Sequence, residues 1–148
     1  MREIIYRGKR VDNGKWVHGG LYVARDGKAY IICGGTHIAC SNWDNVPLWQ
    51  NDWHEVDPAT VGQFTGLCDR KGNKIYEGDI VGYANKSSGK VEGKYIVFWN
   101  NDSHFCGFCV REYGFDYSLA SYVHADYFIH GNVHDNPELL RGGDKCEK

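Results

Sequence analysis

The sequence predicts a mainly β protein with little helix, and three observations carry that expectation. Apolar residues alternate with period 2 along most of the chain, glycine-bearing turn signals break the alternation at short intervals, and 19 Gly stand against three Pro and one Met. Ten Tyr and five Trp, within a hydrophobic content of 42%, support a packed core and exclude a disordered chain. The 148 residues suffice for one domain, or one domain with a small appendage, and a single compact unit is expected.

Taken in order, "IIYRGKRV" and "KWVHGGLYV" are joined through Asp12-Asn13-Gly14, and the second runs through Arg25-Asp26-Gly27 into "AYIIC". Asn-Gly and Asp-Gly supply the positive φ of hairpin turns, so residues 1–35 read as a three-stranded meander. Residues 36–61 hold three Trp, Pro47 and Pro58 without a sustained period; they read as a Trp-rich connector with at most a short helix. From residue 62 to 140 short strands return: Phe64 to Leu67, a turn at Asp69–Asn73, and "KIYEGDIVGY" as one strand bent at Gly78. "KYIVFWN" is the strongest β signal, "HFCGFCVREY" follows, "DYSLASYVHADY" suggests one or two helical turns, and "YFIHGNVHD" is a last strand. Strand spacing of about 8 to 12 residues suits a small SH3-like barrel or roll over 62–140, with residues 141–148 as a flexible tail. "KWVHGGLY" and "KIYEGDIV" share a pattern, read as one local solution used twice, a strand bent at Gly19 or Gly78.

Charge excludes little by itself, since the net value is −2. Its distribution is uneven: no Lys or Arg occurs between Ile31 and Gly62, while Lys and Arg gather before Val17 and between Arg70 and Lys94. No apolar run has the length of a signal peptide or membrane span, so a soluble cytoplasmic protein is expected, with its six Cys reduced.

Three blocks, "YRGKRVDNGKWVHGGL", "VDPATVGQFTGLCDRKGNKIYEGDIV" and "HGNVHDNPELL", resemble the YopX family of phage and prophage proteins, in the family's order. The resemblance implies a largely β, oligomeric protein of a bacterial host cytoplasm, encoded by a phage or prophage. It implies no activity and offers no catalytic residues, because the family's function is unknown. Within the central block, Gly66, Gly72 and Gly78 read as chain-bending positions and Asp79 as an acceptor that fixes a turn.

The chemical candidates stand on their own residues. Cys106 and Cys109, with His104 upstream, have the spacing of half a zinc knuckle, and Cys33 and Cys40 are a candidate second half. The six residues between Cys33 and Cys40 are too many for a tight knuckle, and strand alternation parts Cys106 from Cys109 unless Gly107 bulges. These cysteines therefore read as core residues, and no helix follows Cys109 to lower a thiol pKa for redox work. Glu77 and Asp79 would share a strand face, as acid–base chemistry wants, but the glycine between them argues for a bend. His124, His130 and His134 are the densest histidine group, and they read as exposed or strand-capping. Phosphate-loop, nucleophile-elbow and zinc-protease motifs do not occur, so neither an enzyme nor a cofactor is expected.

What remains is an aromatic surplus on predicted strands: Tyr22, Tyr30, Tyr76, Tyr83, Tyr95, Phe98 and Trp99. The expected function is non-catalytic binding, to a second copy or to a host or phage protein, with Trp49 and Trp53 as partner-binding candidates. The alternative is single-stranded nucleic acid, held by rings interleaved with Lys71, Lys74, Lys90 and Lys94.

Overall fold

The computed structural model describes residues 2–33, 53–84, 88–102, 105–112, 114–120 and 126–140. Trp49, Cys40, His104, His124 and the tail, on which several expectations fell, lie outside the described residues. Every strand pairing is antiparallel, and the mainly β class holds. The chain divides into two compact units, one spanning Glu3–Gln63 and the other Phe64–Lys148 with the first two residues.

In the first unit β1 (Tyr6–Lys9) and β2 (Trp16–Val23) form the first hairpin, registered so that Tyr6 faces Gly19 and Lys9 faces Trp16. Gly14 takes φ +67° in its turn, where the Asn13 side chain accepts from the Lys15 N–H at 2.9 Å. β3 (Ala29–Ile32) pairs with β2 through a second turn, closed by the Ala24 N–H on the Lys28 carbonyl at 2.8 Å. Trp53–Val56, expected as connector, is instead a strand, β4, paired along β3 from Ala29↔Val56 to Ile32↔Trp53. Its composition explains the miss, since one Trp, one His and one Glu give no apolar alternation, and the pairing with β3 is what makes it a strand. Asp57 then caps a 3-10 helix at Pro58–Thr60 by accepting from the Ala59 N–H at 3.0 Å. The buried Thr60 hydroxyl accepts from the Lys9 N–H at 2.9 Å, tying this helix to β1. β5 (Gly62–Cys68) returns its first residues to β1, with Tyr6 opposite Gln63. Ala29, Ile31 and Val56 form the core, packed by Tyr6, Val17, Leu21, Cys33 and Val61. Gly8 is required here, because a Cβ at that position would lie 2.8 Å from a Val56 methyl.

In the second unit the end of β5 pairs with β6 (Lys74–Tyr76) around a turn in which Gly72 has φ +86°. The Asp69 carboxylate organises that turn, accepting from the Lys71 N–H at 2.9 Å and the Asn73 N–H at 2.8 Å. The single bent strand expected from Lys74 to Tyr83 is two strands, because Gly78 adopts φ +81°, which ends the extended run. β7 (Asp79–Ala84) starts a five-stranded sheet with β8 (Val91–Asp102), β9 (Phe105–Glu112), β10 (Phe115–Ser118) and β11 (Tyr127–Asn132), ordered β10-β9-β8-β7-β11. This order does not close into the barrel expected for 62–140. Asp116–Ser118, the start of the stretch expected to hold one or two helical turns, lie instead in β10 and pair with β9, Asp116 opposite Arg111 and Ser118 opposite Cys109. The inward side of the sheet follows the period-2 pattern, with Val81, Val97, Phe108 and Val110 joined by Ile75, Leu119 and Tyr127 in one core.

Candidate binding surface

β2, β3 and β4 each place alternate residues on the side of the first unit away from the Ala29–Ile31–Val56 core. The register sets Tyr22 opposite Tyr30 and Trp53 opposite Ile32, so one ring comes from each of three consecutive strands. Their centroids lie 5.5 Å apart for Tyr22–Trp53, 6.3 Å for Tyr22–Tyr30 and 6.4 Å for Tyr30–Trp53, with interplanar angles of 62°, 41° and 57°. Edge-to-face and tilted pairs of this kind contribute about 0.5–1.5 kcal/mol each beyond burial. Tyr22 nevertheless stays 47% exposed, and Tyr30 and Trp53 are half-buried. The rings thus form a mutually braced cluster that still presents apolar surface to solvent. Lys28 and Glu55 border it, their charges 3.3 Å apart, and hydrogen bonding to Glu55 holds the Lys28 ammonium above its ordinary pKa.

Farther along β2, on the same side as Tyr22, Trp16 carries two cations. The Arg7 guanidinium lies 4.7 Å and the Lys9 ammonium 5.7 Å from its ring centroid. Arg7 is only 8% exposed, so its charge is spent inside the fold rather than offered at the surface.

The other sequence-derived candidates are dispersed. Lys71 is exposed in the β5–β6 turn, Lys74 sets its ammonium 4.9 Å over the Phe64 ring, and Lys94 is exposed on β8. Gly107 and Phe108 separate Cys106 from Cys109, and the pairing with β8 runs through all four without a register shift; Cys106 is exposed and Cys109 fully buried, on opposite sides of β9. Burial, reinforced by Asp116, pushes the Cys109 thiol up, the reverse of what a nucleophile needs. Among the described residues no three His, Cys, Asp or Glu side chains come together as a metal site, and no helix is long and apolar enough to cross a membrane. Gly66 and Gly78 have φ of +88° and +81°, and buried Asp79 accepts from the Tyr76 N–H at 2.8 Å.

One further polar group lies on the sheet of the second unit. The Tyr95 hydroxyl donates to Glu112 at 2.8 Å, beside a parallel Tyr83 ring at 5.9 Å. Burial and that hydrogen bond raise the Tyr95 pKa far above the tyrosine range, so the hydroxyl stays protonated and acts as a strut.

Sequence reasoning named Tyr22, Tyr30 and Trp53 separately and missed their convergence. The parity of Tyr22 and Tyr30 within their strands was available, but Trp53 joins them only through β4.

No curated protein matches the chain. Among solved structures, the crystal structure of protein EF1440 from Enterococcus faecalis is similar over 95% of this chain and 99% of that one, with 19% identity and a TM-score of 0.55, a likeness of fold. The model of the family described as YopX protein matches residues 6–141, nearly the whole length over which strands and turns are laid out, and the chain therefore belongs to the YopX family.

Proposed function

We propose that this protein is a non-catalytic binding module that engages a protein, a second copy or a host or phage partner, through the Tyr22–Tyr30–Trp53 face. The observation that carries the reading is the ring cluster itself: three aromatic side chains from three strands, braced against one another, with Tyr22 about half exposed. Aromatic anchors of limited side-chain freedom are what protein interfaces concentrate at their centres. In this reading the protein acts in the cytoplasm of a bacterial host as a phage or prophage accessory factor, without a cofactor.

The second reading, single-stranded nucleic acid, draws on the cations around Trp16 together with Lys71, Lys74 and Lys94. Partner affinity in the Tyr22→Ala variant, compared across a salt series, separates the two. Protein binding predicts a loss of about tenfold or more for Tyr22→Ala with little salt dependence. Nucleic-acid binding predicts steep weakening with salt and loss on neutralising Lys71, Lys74 or Lys94.

A further inference from the structure

We infer, independently of the Tyr22–Tyr30–Trp53 face, that β10 pairs with β10 of a second copy, antiparallel and centred on Tyr117, joining two five-stranded sheets edge to edge. Backbone direction is the first ground. The Leu119 N–H donates to the Phe108 carbonyl at 2.8 Å, one step past Ser118↔Cys109 in the same register. Hydrogen-bonded pairs alternate along an antiparallel ladder, so Tyr117 and Phe115 also turn their main-chain groups toward β9, and Asp116 and Ser118 turn theirs off the sheet. β10 ends the strand order, and among the described residues nothing pairs with its outer side. β11, the opposite edge of this sheet, is broken by a bulge between Ile129 and Gly131, and β4 in the first unit is covered by Arg10 and Val11. β10 has neither protection, and its sequence, FDYS, holds no Lys or Pro.

Charge is the second ground, and it selects a second copy as the occupant. A twofold axis at Tyr117 sets Asp116 opposite Ser118 of the second copy, and the reverse, so that the outward N–H groups and carbonyls of both edges all find partners. No like charges meet across this joint, and the Asp116 carboxylate is already held by the Arg111 guanidinium at 2.6 and 3.0 Å. A twofold axis at Asp116 would instead set two carboxylates face to face, which disfavours that register.

The third ground is the apolar surface beside the edge. Phe115 and Tyr117, 68% and 36% exposed, lie on the same side of the sheet as Val97, Phe108 and Val110 of the core. In the Tyr117-centred register the two Tyr117 residues oppose each other as a closely spaced pair, about 4.5 Å between Cα atoms, and each Phe115 comes opposite Leu119 of the other copy. The joint thus continues the apolar side of the sheet and covers rings that one copy leaves in solvent. A four-residue strand buries far less than a permanent dimer, so the pairing is concentration-dependent and has come apart in a dilute purified sample.

The test follows full-length protein over a concentration series, with sedimentation for mass and hydrogen exchange for single amides. A monomer–dimer transition is expected, in which the amides of residues 116 and 118 gain protection while that of Tyr117, already bonded to β9, gains little. Ser118→Pro removes an outward donor and should abolish the dimer with the β spectrum retained. Ser118→Asp, which sets a carboxylate opposite Asp116 of the second copy, should weaken it about tenfold. A monomer at every concentration, protection gained at 117 in place of 116 and 118, or a dimer indifferent to both variants overturns the pairing. A dimer lost in Tyr22→Ala but kept in Ser118→Pro also overturns it, and leaves the protein-binding reading of the first unit standing.

Discussion

At the scale of single residues, two buried carboxylates fix the turns that flank β6. Asp79 is 2% exposed and accepts from the Tyr76 N–H across the Gly78 turn. Removing a charged acceptor strands a buried donor, so Asp79→Ala should lower unfolding stability by about 2–3 kcal/mol. Denaturant titration with fitted midpoints and slopes measures it, and a change under about 0.5 kcal/mol, the size of an ordinary surface substitution, would contradict that role. Asp69 carries a pH signature. Burial raises its pKa, but hydrogen bonds from the Asn73 side chain, the Asn73 N–H and the Lys71 N–H outweigh that and hold it below the usual carboxylate value. A folded value below the unfolded one stabilises the native state above about pH 4, and that contribution is lost as pH falls through the folded value. Stability of the wild type should therefore fall more steeply below about pH 4 than that of Asp69→Asn, which keeps an acceptor oxygen. Parallel curves for the two proteins would contradict it.

At the scale of elements, the boundaries follow backbone conformation more than composition. The chain changes strand pairing at Glu77–Gly78, β6 belonging with β5 and β7 with β8 and β11. Gly78 makes the change with φ +81°, its N–H donating to the Val97 carbonyl and its carbonyl accepting from the Val133 N–H. Gly78→Ala forces a Cβ into the left-handed region and should cost about 1–2 kcal/mol, read as a lower thermal midpoint with the strand spectrum retained. An unchanged midpoint would mean that the turn tolerates another backbone path. Much of this was legible. The first hairpins announced themselves through Asn13-Gly14 and Asp26-Gly27, and "KYIVFWN" through its alternation. β4 was not, because a four-residue strand bearing Trp, His and Glu becomes a strand only when β3 supplies its hydrogen bonds. The ring cluster was hidden for the same reason, since Trp53 meets Tyr22 across two pairings that no local pattern encodes. β10 was obscured because Leu119, Tyr122 and Val123, just beyond it in sequence, stand at the i, i+3, i+4 spacing of a helix.

At the scale of the whole molecule, the sequence suggested one unit with its barrel at the C-terminal end, and the folded chain has two units, each with its own core. Ile31 and Val56 anchor one and Val81, Val97 and Val110 the other. Truncating Val56 to Ala should cost about 2 kcal/mol, from lost methyl burial and the cavity left behind. Hydrogen exchange should then show its largest loss of protection among amides of residues 3–63, and an equal loss in the second unit would contradict two separately built cores. The outer side of the first unit is where the account places function, away from every residue that holds its core together. The most direct measurement is the absolute mass of the native protein purified from its host, by light scattering, with the 260-to-280 nm absorbance ratio recorded for wild type and Tyr22→Ala. The account predicts a protein-like ratio and a wild-type mass that includes a second copy or a stoichiometric partner, lost in Tyr22→Ala with the β spectrum intact. A raised ratio that collapses on nuclease treatment, or a complex indifferent to Tyr22→Ala, would contradict it.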